Sequence, residues 1–252
     1  MVSVWSSRVS SRSRAVKDPR TSWALNLWSQ VAEDLGISLG FLVMLCHPAE
    51  VISSRATHYA AGIETMGEAG FAVKNLAGWV NAMLLSEQQT RGRRRSFVRY
   101  DALLADWRTS ISTAASDLGV KLDTDAGSLS RHPVDDFIDP DLSRHRLSWS
   151  DVDVLPELAD VAGLVWQACE RLADHHGADT VAASYLDAAR SRYAKMYLAA
   201  QQLSHDSTAA RVNRARDAGR SGPGQPSDAV GGREALRALL RAVRGRLGRL
   251  RR

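Results

Sequence analysis

The apolar positions of this chain change period along its length, and the changes predict its elements. Ala15 to Arg20 reads as a very short strand running into a proline-marked turn. From Ser22 to Leu35, the residues Leu25, Leu27, Trp28, Val31, Ala32 and Leu35 fall at helical spacing, and Gly36 stops the helix. Phe41 to Cys46 is an unbroken apolar run with the length of a strand buried on both faces. It passes directly into His47-Pro48-Ala49-Glu50, where an early proline and a first-turn carboxylate predict the start of a helix over Pro48–Tyr59.

Gly62, Gly67 and Gly70 mark a looser stretch before a helix predicted over Val73–Gln89, whose stripe is Leu76, Val80, Met83, Leu84 and Glu87. The run Arg91-Gly92-Arg93-Arg94-Arg95 reads as a loop, Ser96–Tyr100 as a short strand and Asp101–Leu118 as a helix closed by Gly119. Residues 121–156 carry Pro133, Pro140 and Pro156 and read as a long surface excursion. Leu158–Ala173 and Thr180–Leu203 are two further helices. Strand, helix, strand, helix is the order of a βαβ unit and predicts an α/β fold with a parallel sheet. The expected organisation is a disordered basic arm at 1–14, an α/β domain at 15–210, a flexible linker at 211–232 and a basic amphipathic helix at 233–252.

Charge sharpens this division. The net charge of +5 sums a basic N-terminus of +4 over residues 1–20, a strongly basic end of +9 over 211–252, and a body of −8 between them. The basic balance therefore does not describe the body, and nucleic acid is not the expected partner. Cys46 and Cys169 make no disulfide framework, and no Cys/His spacing suggests a metal. With no apolar leader and no membrane-length apolar stretch, the expected location is cytoplasmic.

The chemistry concentrates at Phe41–Arg55. A buried strand that ends where a helix begins presents backbone N–H groups to an anion, and Ser53, Ser54 and Arg55 add hydroxyls and a cation further along the helix. His47 has three open roles there: a base, a phosphate donor or a structural flank of the helix. Cys46 reads as a buried strand-end residue or as a thiol activated by the helix terminus. The arginine run reads as a solvated charge cluster or a phosphate contact, and His175-His176 as a cation-capable group at a helix end.

Four stretches together resemble bacterial sulfotransferase-family proteins of the actinobacterial type. They are Val16-Lys17-Asp18-Pro19-Arg20; Met44-Leu45-Cys46-His47-Pro48-Ala49-Glu50-Val51 with Ser54-Arg55; Phe97-Val98-Arg99-Tyr100-Asp101-Ala102-Leu103-Leu104 with the later Asp117-Leu118-Gly119; and Phe137-Ile138-Asp139-Pro140 with Leu142, Arg144, His145 and Arg146. Trp79 also fits. The resemblance covers roughly residues 16–200. It implies a P-loop-NTPase-like parallel sheet with flanking helices and PAPS (3′-phosphoadenosine 5′-phosphosulfate) as co-substrate. The implied reaction, in complete relatives, is transfer of a sulfuryl group to a hydroxyl or amine on a small-molecule, carbohydrate or lipid acceptor. It further implies Ser54 and Arg55 as cofactor-binding residues, and Lys17, Arg20 and His47 as the groups for charge stabilisation and proton transfer. Asp18 and Arg20 could instead form a local turn-stabilising pair.

Two departures from that pattern accompany it. The glycine-rich strand–loop–helix that cradles the 5′-phosphosulfate has no counterpart, so the expectation is an N-terminally truncated member. Cys46 stands where the family has an arginine for the 3′-phosphate, which would weaken binding by roughly tenfold to more than a hundredfold. The last helix has its own reading. Leu236, Leu239, Leu240, Val243, Leu247 and Leu250 share a face surrounded by arginines, which suits an anionic membrane surface or docking on the acidic body. The alternative function is thus a non-catalytic remnant or interaction protein that uses this helix at a membrane surface, with the inner membrane surface the expected place, or at nucleic acid.

Overall fold

The structure, a computed structural model, describes residues 2–7, 13–58, 60–122, 131–139 and 148–220. It forms two compact units, Met1–Leu198 and Ala199–Arg252. The first is built on a four-stranded sheet in the order β2-β1-β3-β4: β1 (Val2–Ser7), β2 (Ser13–Lys17), β3 (Ser38–Leu45) and β4 (Arg95–Arg99). The helices of the chain are α1 (Leu25–Asp34), α2 (Pro48–His58), α3 (Ala60–Thr90, two helices joined at a kink where Gly67 has φ 75°), α4 (Tyr100–Ala105), α5 (Trp107–Leu118), α6 (Pro156–Asp174) and α7 (Thr180–Arg220), the last running from the first unit into the second. The class is α/β and mostly helical.

The centre of the sheet follows from the apolar run. β3 and β4 pair in parallel, with Phe41 opposite Arg95 and Leu45 opposite Arg99. Side chains alternate across the sheet. Phe41, Val43, Leu45 and Phe97 enter the main core with Leu76, Val80 and Leu84 of α3, Val161, Val165 and Leu172 of α6, and Leu186 of α7. Leu42 and Val98 face the other way, onto Ala114 and Leu118 of α5. α5 lies so close that a Cβ at Gly40 would stand 3.0 Å from the Leu118 side chain.

Three expectations are corrected. Residues 2–7 are not an arm outside the fold. They form β1, antiparallel to both β2 and β3, with Ser3 opposite Lys17 on one side and Leu42 on the other. The open edge of β3 supplies backbone partners that no local pattern reveals, and the sheet is therefore mixed, with one parallel pair. Second, the helix expected over Asp101–Leu118 breaks at Asp106, where the backbone leaves the helical region at φ −149° and ψ 87°. The Asp106 carboxylate accepts from the Thr109 N–H at 3.0 Å and caps α5. Third, Arg211–Arg220 is not linker but the end of α7, because alanine and arginine there favour helix and the first proline follows only at Pro223. The rest of the expected linker, the last helix and Pro140–Arg146 lie outside the described residues.

Candidate functional site

The site expected from the sequence is the C-terminal edge of the parallel pair. β3 ends at Leu45, and two residues, Cys46 and His47, lead into α2. β4 ends at Arg99 and passes into α4 with no intervening loop. Both motif segments are thus strand-to-helix junctions side by side, and Gly119 closes α5 in the left-handed region at φ 62°.

His47 is held on three sides. Its ring packs edge-on against Trp149, at 5.0 Å between centroids, and against Trp166 of α6 at 5.1 Å. The Ala49 N–H donates to His47 Nδ1 at 3.3 Å, which places the ring proton on Nε2. Burial pushes its pKa down, and the nearby Glu170 carboxylate opposes that only in part. The imidazole is therefore neutral, with its basic nitrogen spent on capping its own helix. This geometry favours the structural role over the base and the cationic phosphate donor.

The Cys46 thiol is also quiet. Burial, with the Glu50 and Asp101 carboxylates adding to it, pushes its pKa up to about 11, the opposite of an activated thiol. Arg99, the cation at the end of the neighbouring strand β4, faces α6. It donates to the Glu170 carboxylate at 3.3 Å and pairs with Asp174 at 2.8 Å. Burial works against its charge, and these two carboxylates outweigh it and raise its pKa.

Along α2, Ser54 is exposed and lies about 10 Å up the helix axis from His47 at 1.5 Å per residue. A single phosphate on the first-turn N–H groups would not reach it. The Arg55 guanidinium donates to Asn75 Oδ1 at 2.8 Å, and the Asn75 amide is itself anchored to the Phe71 carbonyl at 2.8 Å. Ser54 and Arg55 are therefore neighbours on one stretch of helix, with the guanidinium pre-positioned.

Lys17 is not brought to this group. It is exposed at the end of β2, level with Leu42 and two strands away from β3. Strand spacing and rise put it roughly 15–20 Å from His47. Arg20 lies in the 3₁₀ segment Pro19–Trp23, and its side chain is outside the described residues.

The arginine run has become structural. Glu87 of α3 is fully buried and accepts from Arg91 at 2.7 and 2.8 Å, Arg95 at 3.2 Å and Arg190 at 3.3 Å. Arg91 also spans Asp187 with two bonds of 2.9 Å. Arg93 pairs with Glu33 at 3.2 Å, and Arg94 bonds the Ser38 hydroxyl. This favours the structural reading for Arg91 and Arg95, while Arg93 and Arg94 stay exposed on surface partners. The sequence reading missed the cluster, although the four-residue spacing of Glu87, Arg91 and Arg95 was its visible signal. It also missed Trp149 and Trp166 around His47, which no local pattern announces. Among the described residues, no three His, Cys, Asp or Glu side chains gather to hold a metal, and no helix is long and apolar enough to cross a membrane.

Family models, curated proteins and solved structures were all compared with the chain. None matches. The functional reading therefore rests on the residues and their placement alone.

Proposed function

We propose that this chain is a sulfotransferase-type protein, and that the stretch of α2 carrying Ser54 and Arg55 is its site for the 3′-phosphate of PAPS. The observation that supports this is the placement of Cys46-His47-Pro48-Ala49-Glu50-Val51 and Ser54-Arg55. The motif occupies a strand end and the helix that follows it, beside a parallel strand whose own motif runs into a helix in the same direction. A P-loop-like arrangement is the finer fold that goes with this reading. The Ser54 hydroxyl donates to a phosphate oxygen, and Arg55, oriented by Asn75, supplies charge.

The reading covers nucleotide binding and not the transfer step. Lys17 stands far from the junction, and His47 uses its basic nitrogen internally. With Cys46 neutral beside Glu50 and Asp101, the strand end lacks the guanidinium that the resembled family places there, so affinity falls roughly tenfold to more than a hundredfold below that of a site with the arginine. Isothermal titration with adenosine 3′,5′-bisphosphate tests the reading. The expected result is saturable heat, weakened at least tenfold in Ser54→Ala and absent with adenosine 5′-monophosphate. No heat at millimolar nucleotide, or equal binding by Ser54→Ala, would overturn it.

A further inference from the structure

α1 turns only a narrow face inward. The residues it buries are Leu25, Ser29 and Ala32, while Trp23, Leu27, Trp28, Val31 and Leu35 lie outside at 59, 61, 36, 44 and 55 % exposure. The Ser29 hydroxyl is buried without a hydrogen-bond partner. A helix that hides a serine and shows its large apolar side chains is poorly explained by its own unit, since burial normally runs the other way. The five side chains leave on the order of 500 Å² of apolar surface open, the size of the largest patch on a typical monomer, which is often a functional one.

We propose that this stripe is a homodimer interface, in which α1 pairs antiparallel with α1 of a second copy about a two-fold axis. Three observations select a second copy as the occupant. The first is self-complementarity. Within α1, Leu27 and Val31 are spaced by four and symmetric about Ser29, so antiparallel pairing sets each Leu27 on the partner helix's Val31, with Trp23 of the preceding 3₁₀ segment and the C-cap Leu35 flanking them. Rows spaced by four pack against each other in the commonest helix-crossing class.

The second observation is area. Two such patches cover about 1,000 Å² in total, which reaches the threshold of a specific interface without further surface. The third is charge. α1 has no acidic residue in its first turn and no basic residue in its last, its N-cap Ala24 offers no side-chain cap, and it ends in Glu33-Asp34. These carboxylates oppose their own helix dipole. Glu33 is already paired with Arg93, so the antiparallel partner brings its uncapped N-terminus to Asp34, which a parallel partner would not. The same acidic end and the lack of any Lys or Arg within α1 disfavour an anionic lipid surface.

Sedimentation velocity on the full chain from low to high micromolar concentration tests the pairing. The wild type is expected to sediment as a dimer, and Leu27→Glu/Val31→Glu as a monomer with unchanged helical circular dichroism and a dissociation constant raised at least a hundredfold. A wild type that stays monomeric overturns the proposal, as does a dimer that survives the double substitution or a different protein found seated on the stripe. Should the variant fold poorly, hydrogen exchange of the wild type decides instead. α1 amides protected more strongly at high than at low concentration support the pairing, and concentration-independent exchange overturns it.

Discussion

Replacing Glu87 by glutamine removes one charge and almost no volume, which makes it the sharpest probe of what holds this fold together. Glu87 is fully buried and Arg95 is 5 % exposed, so the substitution leaves a guanidinium in the core without its counter-charge. Arg95 keeps neutral acceptors in the Gly177 carbonyl at 2.7 Å, the Glu87 carbonyl at 2.9 Å and the Thr90 hydroxyl. Removing one partner of a buried pair costs about 3–5 kcal/mol, and these remaining acceptors set the expectation at about 3. Urea unfolding followed by tryptophan fluorescence reads this well, because all seven tryptophans lie in the first unit. The midpoint should fall by about 1 M or more with an unchanged slope. A cycle of Glu87→Gln, Arg95→Gln and the double variant should give a coupling of about 2–3 kcal/mol. A loss below about 1 kcal/mol with negligible coupling would refute the reasoning, since the charges would then be solvated despite their burial.

Three further outcomes follow from the same geometry. Gly177→Ala should lower stability by about 2 kcal/mol or more in a thermal melt, because Gly177 has φ +76° and a Cβ there would stand 2.5 Å from the Arg95 carbonyl oxygen; a change below about 0.5 kcal/mol would contradict this. Reaction of Cys46 with a small alkylating reagent, in a Cys169→Ser background, should be slow near neutrality and accelerate only as pH approaches about 11, and rapid modification at pH 8 would refute the assigned environment. Acid should weaken the fold. Burial would raise the Glu87 pKa, but hydrogen bonds and charge from Arg91 and Arg95 outweigh it and hold it low, and the Arg91 hydrogen bond does the same for Asp187. A depressed folded pKa gives stability that is complete above the ordinary carboxylate range, near pH 4, and is lost as pH falls below it. A urea midpoint that does not drop between pH 6 and pH 3 would contradict this.

The parts of the fold written locally were legible, and the parts set by distant partners were not. The β3–α2 junction could be read because Phe41–Cys46 is a continuous apolar run and Pro48 with Glu50 marks a helix start. The break at Asp106 had a local signal too, in the Asp106–Thr109 cap. β1 had none, since its pairing with β3 is decided by an edge more than thirty residues away. The periodicity of α1 announced an apolar face but not which side the sheet and α3 would accept, and the structure turned Leu27, Val31 and Leu35 outward. At the candidate site, His47 was found from its position. Its neutrality comes from burial beneath Trp149 and Trp166, which only the tertiary structure assembles. Only a motif resemblance links Lys17 with it, and the intervening strand β1 keeps them apart.

The proposed nucleotide site is tested most directly by amide chemical-shift mapping during titration with adenosine 3′,5′-bisphosphate, because it reports position even when affinity is weak. The account predicts saturable shifts centred on Ser53–Ala56 of α2 and on the Asn75 side-chain amide that orients Arg55. Shifts confined to the arginine-rich stretch 211–220, or no shifts at millimolar nucleotide, would contradict it.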